Sequence, residues 1–303
     1  MNEQSELDNK ESELLQECSK YFPDPKIVSE LLLGGSSPNL KNIEGKSSLG
    51  LVCSSYLPSV ELVELLLAYS ANPNVLTNKS QSCLHLACAN ETVSLDIVKL
   101  LISHGADPNL KDDKERLALH YACERDSLDL KMIKLLSGVS LINSKDENNE
   151  SPLYILCDNC KSDLDMIECL VSQGANPNIE SINTGHCALS LMLTRERDSV
   201  VNFLLENGAD PVLAVECFFA RGDKRMIERL DCISKVDWEK ALSVVCSSIF
   251  GAKISEEGFY SLQSLLHFIK SKIGSSKRFT QFESSFFHSL CFQVFTFPQH
   301  SQE

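Results

Sequence analysis

The sequence predicts an all-α solenoid in which similar helix pairs stack on one another. Three short patterns recur in phase along the chain, at an interval near 35 residues. They are a proline-containing turn phrase, a leucine-centred phrase, and a Leu-rich helical run that precedes each proline. A fixed period of this length is typical of a stacked repeat protein, because one helix pair alone cannot bury its apolar face.

The turn phrase ends each predicted helix pair. It reads Gly-Ala-Asp-Pro-Asn at 105–109 and Gly-Ala-Asn-Pro-Asn at 174–178. Glycine closes a helix in a left-handed conformation without a Cβ clash, and the proline that follows cannot continue the helix. The prolines of the five copies are Pro38, Pro73, Pro108, Pro177 and Pro211.

The leucine-centred phrase opens the first helix of each pair. Its leucines are Leu49, Leu84, Leu119, Leu153 and Leu189. A cysteine stands four residues after four of these leucines, at Cys53, Cys88, Cys123 and Cys157, and it is predicted to be a small buried hydrophobe. The Leu-rich run, such as 97–101, predicts the second helix.

This arrangement resembles the ankyrin repeat, because a small-x-Leu-His phrase, two helices and a Gly-Ala-Asp-Pro-Asn turn recur together. The resemblance covers about residues 11–213 and implies about six repeats, the first of them a cap, with β-hairpin loops between repeats. The leucine-to-proline spacing is 24 residues in three copies and 22 in the last. We therefore expect two extra residues between the paired helices of the longer copies.

The charge distribution limits which class of partner is expected. Residues 1–213 carry 32 acidic and 17 basic side chains, whereas 214–303 carry 10 and 11. An acidic array lacks the clustered Lys and Arg that a phosphate backbone requires, so nucleic-acid binding is not expected. Because no secretory signal or long apolar stretch is visible, we expect no membrane insertion and a cytoplasmic, or also nuclear, location.

The residues that suggest catalysis or metal binding have structural explanations. His85 and His120 follow the leucine of their repeats, and in the ankyrin family this histidine hydrogen-bonds within and between repeats. Cys157 and Cys160 form a Cys-x-x-Cys motif, but a zinc site needs a second ligand pair at suitable spacing. We therefore expect no catalytic residue, no cofactor and no metal.

The expected binding surface consists of loop-tip and first-helix residues that vary between copies. Ankyrin arrays present such residues on a concave face, so the resemblance implies a protein partner. Arg125 is the expected anchor, since Arg is enriched at binding hot spots, and it should share one exposed side with Asp112 and Glu115. The full set is Asn42, Glu44, Tyr56, Asn78, Lys79, Glu91, Asp112, Lys114, Glu115, Arg125, Asp146, Glu147, Lys161 and Arg195.

The ends of the chain depart from the repeat pattern. Residues 1–10 are expected to be disordered, 214–274 to form degenerate ankyrin-like helix pairs, and 275–303 to form a Phe-rich tail that is a cap, a docking segment or disordered. We expect a monomeric, non-enzymatic scaffold or adaptor. The alternatives are a substrate-recognition adaptor of a ubiquitin ligase that recruits through the C-terminal segment, an enzyme whose active part is that segment, and a purely structural module.

Overall fold

The computed structural model describes residues 13–221 of the 303-residue chain. The chain divides into two compact units, Met1–Ala209 and Asp210–Glu303. The expectations for residues 1–10 and 275–303, and for 222–274 within the degenerate pairs, lie outside the described residues.

The described residues of the first unit, 13–209, form six helix pairs, which confirms the predicted solenoid of stacked pairs. The first helices are α1 (residues 13–18), α3 (Ser48–Cys53), α5 (Cys83–Ala89), α7 (Ala118–Glu124), α9 (Pro152–Asp158) and α11 (Ala188–Thr194). The second helices are α2 (Pro25–Leu33), α4 (Val60–Ala68), α6 (Leu95–Ser103), α8 (Leu130–Ser137), α10 (Leu164–Ser172) and α12 (Asp198–Glu206). From α3 to α12 each helix contacts the other helix of its pair, and from α2 to α12 equivalent helices of successive pairs contact each other.

Local sequence signals set where these helices begin and end. The Ser47 hydroxyl accepts from the Gly50 amide at the start of α3, and the Asp163 carboxylate accepts from the Met166 amide at the start of α10. Such caps satisfy amides that have no partner inside the helix. Gly105 and Gly174, which follow α6 and α10, have φ of 84° and 92°, so the turn phrase ends these helices as predicted.

The core lies between the two helices of each pair and between neighbouring pairs. The leucines of the five leucine-centred phrases are at most 1% exposed. The in-register cysteines Cys53, Cys88, Cys123 and Cys157 are fully buried, as predicted for small hydrophobes. Burial raises the pKa of both Cys88 and Cys157 to about 12, so these thiols are neutral and poorly nucleophilic.

The loops between paired helices have the predicted difference in length. Residues 54–59, 90–94 and 159–163 separate the paired helices of the three copies with the 24-residue spacing, whereas only residues 195–197 separate α11 from α12. The two extra residues therefore lie where the spacing predicts them. Extending a loop costs little conformational entropy, so the stack tolerates both lengths.

Asparagine side chains of the turn phrase connect each repeat to the next. The Asn74 side chain donates to the Gly105 carbonyl at 2.8 Å and accepts from the Asp107 amide at 2.8 Å. Asn39 makes the equivalent pair of bonds with Ser70 and Asn72. Asn143 repeats the pattern two junctions beyond Asn74, where its side chain donates to the Gly174 carbonyl and its oxygen accepts from the Asn176 amide. The asparagine of the phrase thus satisfies backbone groups in the following turn.

The loops between repeats are hairpin-like turns with little β pairing. Within residues 13–221 the β pairing consists of one isolated bridge, between Glu180 and Cys187. Each loop is instead closed by hydrogen bonds within a tight turn. In the second unit the described helix is α13 (Pro211–Arg221), which overlaps the start of the range 214–274 that is expected to form degenerate helix pairs.

We predict that Asn74→Ala destabilises the array by about 1–3 kcal/mol. The substitution removes both inter-repeat bonds and leaves the Gly105 carbonyl and the Asp107 amide without their partner. Urea unfolding followed by far-UV circular dichroism measures the change. Asn202→Ala, at an exposed position on α12, is the matched control and should change stability by less than about 0.5 kcal/mol. Equal effects of the two substitutions would contradict a structural role for the asparagine.

Candidate protein-binding surface

Each loop tip is a tight turn closed by a backbone hydrogen bond. In the first four tips the amide of the first loop residue donates to the carbonyl four residues later, as from Asn42 to Lys46 at 2.9 Å, and in the fifth the Ser181 amide donates to the His186 carbonyl at 3.0 Å. The fourth residue of the turn adopts a left-handed conformation, with φ of 77° at Gly45 and 60° at Glu115. A Cβ on Gly45 would lie 2.6 Å from the Asn78 amide nitrogen, so this tip requires glycine.

The side chain of the first loop residue stabilises its own turn. The Asp112 carboxylate accepts from the amides of Lys114 and Arg116, both at 2.9 Å. Asn42, Thr77 and Asp146 accept from the equivalent pair of amides in their loops. This is the role of a short oxygen-bearing side chain in a turn.

The expectation that Asp112 lies on an exposed side is therefore corrected. Asp112 is 4% exposed and Asp146 is 6% exposed, because their carboxylates point into the turns and the residues beneath them. Asn42 is half-buried for the same reason. The sequence carried a signal for this role: short hydrogen-bonding residues recur in register at Asn42, Thr77, Asp112, Asp146 and Ser181.

Backbone hydrogen bonds also join neighbouring tips into a continuous row. The Asn78 amide donates to the Glu44 carbonyl at 3.0 Å, and the Asp113 amide donates to the Lys79 carbonyl at 3.1 Å. Equivalent bonds run from Glu147 to Lys114 and from Ile182 to Asn148. The tips are thus held in fixed positions relative to one another.

Other tip side chains are exposed along this row. The predicted surface residues that remain exposed there are Glu44, Asn78, Lys79, Lys114, Glu115 and Glu147. Two isoleucines that the sequence interpretation overlooked are more prominent: Ile43 is 96% exposed and Ile182 is 74% exposed. The available signal was an apolar β-branched residue in an otherwise polar loop.

A second set of inter-repeat bonds forms where the first helices end. The C-cap residues of α5, α7, α9 and α11 reach back to carbonyl groups of the preceding repeat. Asn90 donates to the Cys53 carbonyl at 2.9 Å, and Asn159 donates to the Arg125 carbonyl at 2.8 Å. Arg195 donates to the Cys157 carbonyl at 3.2 Å and pairs with Asp158 at 2.7 Å. These bonds satisfy carbonyls that a helix end leaves without a partner.

Arg125 belongs to this structural set, which corrects its predicted exposure. It is 6% exposed and donates to the Glu91 carbonyl at 2.8 Å. The Glu91 carboxylate in turn accepts from the amides of Asp126 and Ser127. Although burial acts to raise it, these hydrogen bonds hold the pKa of Glu91 below its ordinary value.

The remaining predicted residues lie along the edge formed by the loops between paired helices. Lys161 is exposed and pairs with Asp126 at 3.0 Å. Tyr56 is 63% exposed, and its ring stacks on Tyr21 with 5.4 Å between centroids. The predicted surface residues therefore fall into two groups, one in the row of tips and the other along this edge.

A network of polar side chains lies beneath the third and fourth tips. The Tyr121 hydroxyl donates to Asp112 at 2.5 Å and accepts from Gln81 at 3.0 Å. Arg116 pairs with the Glu124 carboxylate at 2.7 Å and lies 3.5 Å from Asp146, whose side chain is fully buried. These interactions connect the loops to the first helices, so they fix where the tips stand.

The two repeat histidines are structural, as the sequence interpretation expected. His85 Nδ1 accepts from the Ser82 amide, and its Nε2 bonds the Arg116 carbonyl of the next repeat at 3.0 Å. His120 bonds the Leu117 amide and the Ser144 carbonyl in the same way. Burial lowers the pKa of His120 to about 4, so its ring is neutral at physiological pH.

The two cysteines of the Cys-x-x-Cys motif differ in exposure. Cys157 is buried whereas Cys160 is exposed. Among residues 13–221, no group of three or more His, Cys, Asp or Glu side chains could hold a metal ion. In the same part of the chain, no helix is long and apolar enough to span a bilayer.

Comparison with known proteins agrees with this geometry. A family model described as ankyrin repeats matches residues 15–112, 94–181 and 119–214. The chain belongs to the ankyrin-repeat family. It is also 39% identical over 71 residues to the mouse (Mus musculus) protein "Ankyrin repeat and MYND domain-containing protein 1". That match covers 22% of this chain and 8% of the mouse protein. Ankyrin repeats are generally protein–protein interaction modules.

We predict that the stability of this ankyrin array falls by about 2 kcal/mol between pH 7 and pH 5 because of His120 alone. The unfolded chain takes up a proton as the pH falls through 6.5, whereas the folded chain resists protonation until about pH 4. Glu91 titrates below this window. Comparing urea midpoints of wild type and His120→Gln at both pH values measures the effect, since the variant should lose that part of the pH dependence. The exposed His104→Gln is the control and should keep the wild-type dependence.

We further predict that Arg125→Ala destabilises the array by about 2–4 kcal/mol. The change removes the bond to the Glu91 carbonyl and a buried cation beside the Glu91 carboxylate, whose oxygen lies 3.7 Å from the guanidinium. Thermal unfolding checks this prediction. Lys131→Ala, at an exposed position five residues before Leu136, is the control and should leave the melting temperature nearly unchanged. If Arg125→Ala is as stable as the wild type, the structural role is contradicted and Arg125 becomes a candidate binding residue again.

Proposed function

We propose that this protein is a non-enzymatic scaffold or adaptor that binds a partner protein through its row of loop tips. The observation that carries the proposal is the chain of tip-to-tip backbone bonds, which holds side chains of differing chemistry at fixed positions. A surface that is ordered before binding loses less conformational entropy on association. Such a row is therefore suited to selective recognition.

The exposed side chains indicate the chemistry of this contact. Ile43 and Ile182 supply apolar area in the first and last described tips, and Lys79 and Lys114 supply positive charge between them. Exposed carboxylates at Glu44, Asp113 and Glu147 alternate with these lysines. A partner surface that carries both signs of charge and apolar pockets at its ends would be complementary. The charges would chiefly set association rate and selectivity.

The buried residues narrow the surface that should be tested. Asp112 and Asp146 stabilise their own turns and Arg125 bonds to the preceding repeat, so substituting them would alter binding through the fold and not through contact. The exposed lysines of the tips can be changed without removing a bond that closes a turn.

We predict that Lys79→Glu combined with Lys114→Glu weakens partner binding by about tenfold or more, as expected when charges at an interface become repulsive. Proteins captured from a lysate of the source cells by the wild type and by the variant are compared by quantitative mass spectrometry. Captured partners are then purified, and their dissociation constants are measured.

The control is Lys99→Glu combined with Lys131→Glu, which makes the same charge change on the second helices α6 and α8. Both control positions are exposed. Partners retained by this control and lost from the tip variant would support the proposal. The proposal fails if the tip variant retains every partner with unchanged affinity while its circular dichroism spectrum is that of the wild type.

A further inference from the structure

The second helices share a pattern of buried residues, which is complete in every repeat after the first. Their fourth residues are at most 2% exposed in all six copies. Their third residues are at most 8% exposed in the last five copies, and their seventh residues are fully buried there. The third residues are Leu62, Ile97, Met132, Met166 and Val200, and the seventh are Leu66, Leu101, Leu136, Leu170 and Leu204.

The first copy departs from this pattern on one side only. Ile27, the third residue of α2, is 40% exposed, and Leu31, the seventh, is half-buried. Val28 and Leu32, the fourth and eighth residues, remain 0% and 5% exposed. The helix α2 is thus packed against the array through one stripe, while the neighbouring stripe is open.

The later repeats show what kind of element covers this stripe. The helix α4 packs against both α2 and α6, and the same succession continues through α12. The stripe formed by the third and seventh helix residues is exposed in α2 but buried in α4. The element that buries it in α4 therefore comes from the repeat that precedes α4. That element is an α-helix with apolar residues at i and i+4.

The loop tips show the same open side. The amides of Asn78, Asp113, Glu147 and Ile182 each donate to a carbonyl of the preceding tip. The amide in register with them is that of Ile43, and no acceptor within residues 13–221 pairs with it. Within residues 13–221, the first repeat therefore has an uncovered apolar helix stripe and a tip amide without an acceptor.

Exposed apolar side chains are concentrated on the first two repeats. Of the eleven large apolar residues exposed in the described part of the chain, eight lie between Tyr21 and Leu57. Tyr21 and Phe22, in the loop before α2, are 56% and 70% exposed and pack edge to face. Clusters of exposed aromatic and aliphatic residues mark interaction sites, since monomeric surfaces otherwise keep such patches small.

We propose that the open stripe of α2 is a docking site for an amphipathic α-helix of a partner protein, seated on α2 as α2 is seated on α4. The site continues the repeat-stacking interface that the array already uses. Ile27 and Leu31 form the apolar seat. This surface differs from the row of loop tips, so the two can bind different segments.

The test uses a synthetic helix as the probe. It has the sequence of residues 24–35 of this chain, because α2 is the helix that the chain itself places against α4. A lactam between Lys26 and Glu30, which are exposed and four residues apart, holds the short peptide helical. Fluorescence anisotropy of the labelled peptide, titrated with the full-length protein, measures binding.

We expect saturable binding that Ile27→Asp weakens by about tenfold or more, since burial of a large aliphatic side chain contributes at least that factor. Val139→Asp changes an apolar residue of matched exposure, 42%, elsewhere in the array and should bind as the wild type does. The peptide with Leu32→Asp should not bind. Ile27→Gln repeats the test with a milder change if circular dichroism shows that Ile27→Asp disturbs folding.

Three results would overturn the proposal. They are the absence of saturable binding up to the solubility limit of the peptide, equal affinity for wild type and Ile27→Asp, and a dimer of the unlabelled protein in sedimentation that Ile27→Asp dissociates. The last would assign the stripe to a second copy of the chain. The Lys79→Glu, Lys114→Glu variant should bind the peptide as the wild type does, so failure here is distinguishable from failure of the loop-tip proposal.

Discussion

Backbone groups at the helix ends and in the turns of each repeat find their hydrogen-bond partners in a neighbouring repeat. A six- or nine-residue helix leaves most of its terminal amides and carbonyls without intrahelical partners. The Asn74 side chain bonds the Gly105 carbonyl in the turn of the following repeat. The Asn90 side chain bonds the Cys53 carbonyl at the end of α3, in the preceding repeat. Because burying a polar group without a partner is costly, this requirement fixes the register of the stack as firmly as the apolar core does.

The same requirement decides which polar residues remain available for recognition. Four C-cap residues differ in chemistry, and the sequence alone would assign them to a variable surface. Each of them donates to a carbonyl of the preceding repeat; they are Asn90, Arg125, Asn159 and Arg195. An amide and a guanidinium can fill this position because both donate hydrogen bonds from the end of a side chain. Variation between copies therefore identifies a candidate surface only after the positions that share a structural bond have been removed.

Much of the fold followed from the sequence because its determinants are local and repeated. The glycine after a helix, the leucine that opens one and the length of the loop between paired helices each act within a few residues of themselves. The candidate surface was harder to predict. The burial of Asp112 and Arg125 depends on which carbonyls, amides and rings the adjacent repeats bring near them, and periodicity alone does not describe those neighbours. Ile43 and Ile182 were overlooked because apolar residues are generally assigned to the core.

The column of buried cysteines has a practical consequence. Cys53, Cys88, Cys123 and Cys157 lie in successive helix pairs and burial raises the pKa of Cys88 and Cys157, whereas Cys160 is exposed to solvent. A thiol-specific reagent would modify Cys160 in the folded protein and would reach the buried column only when a repeat opens. The rate at which each buried thiol is labelled would then report the opening free energy of its own repeat. The chain thus carries internal probes of local stability along its stack, without any introduced label site.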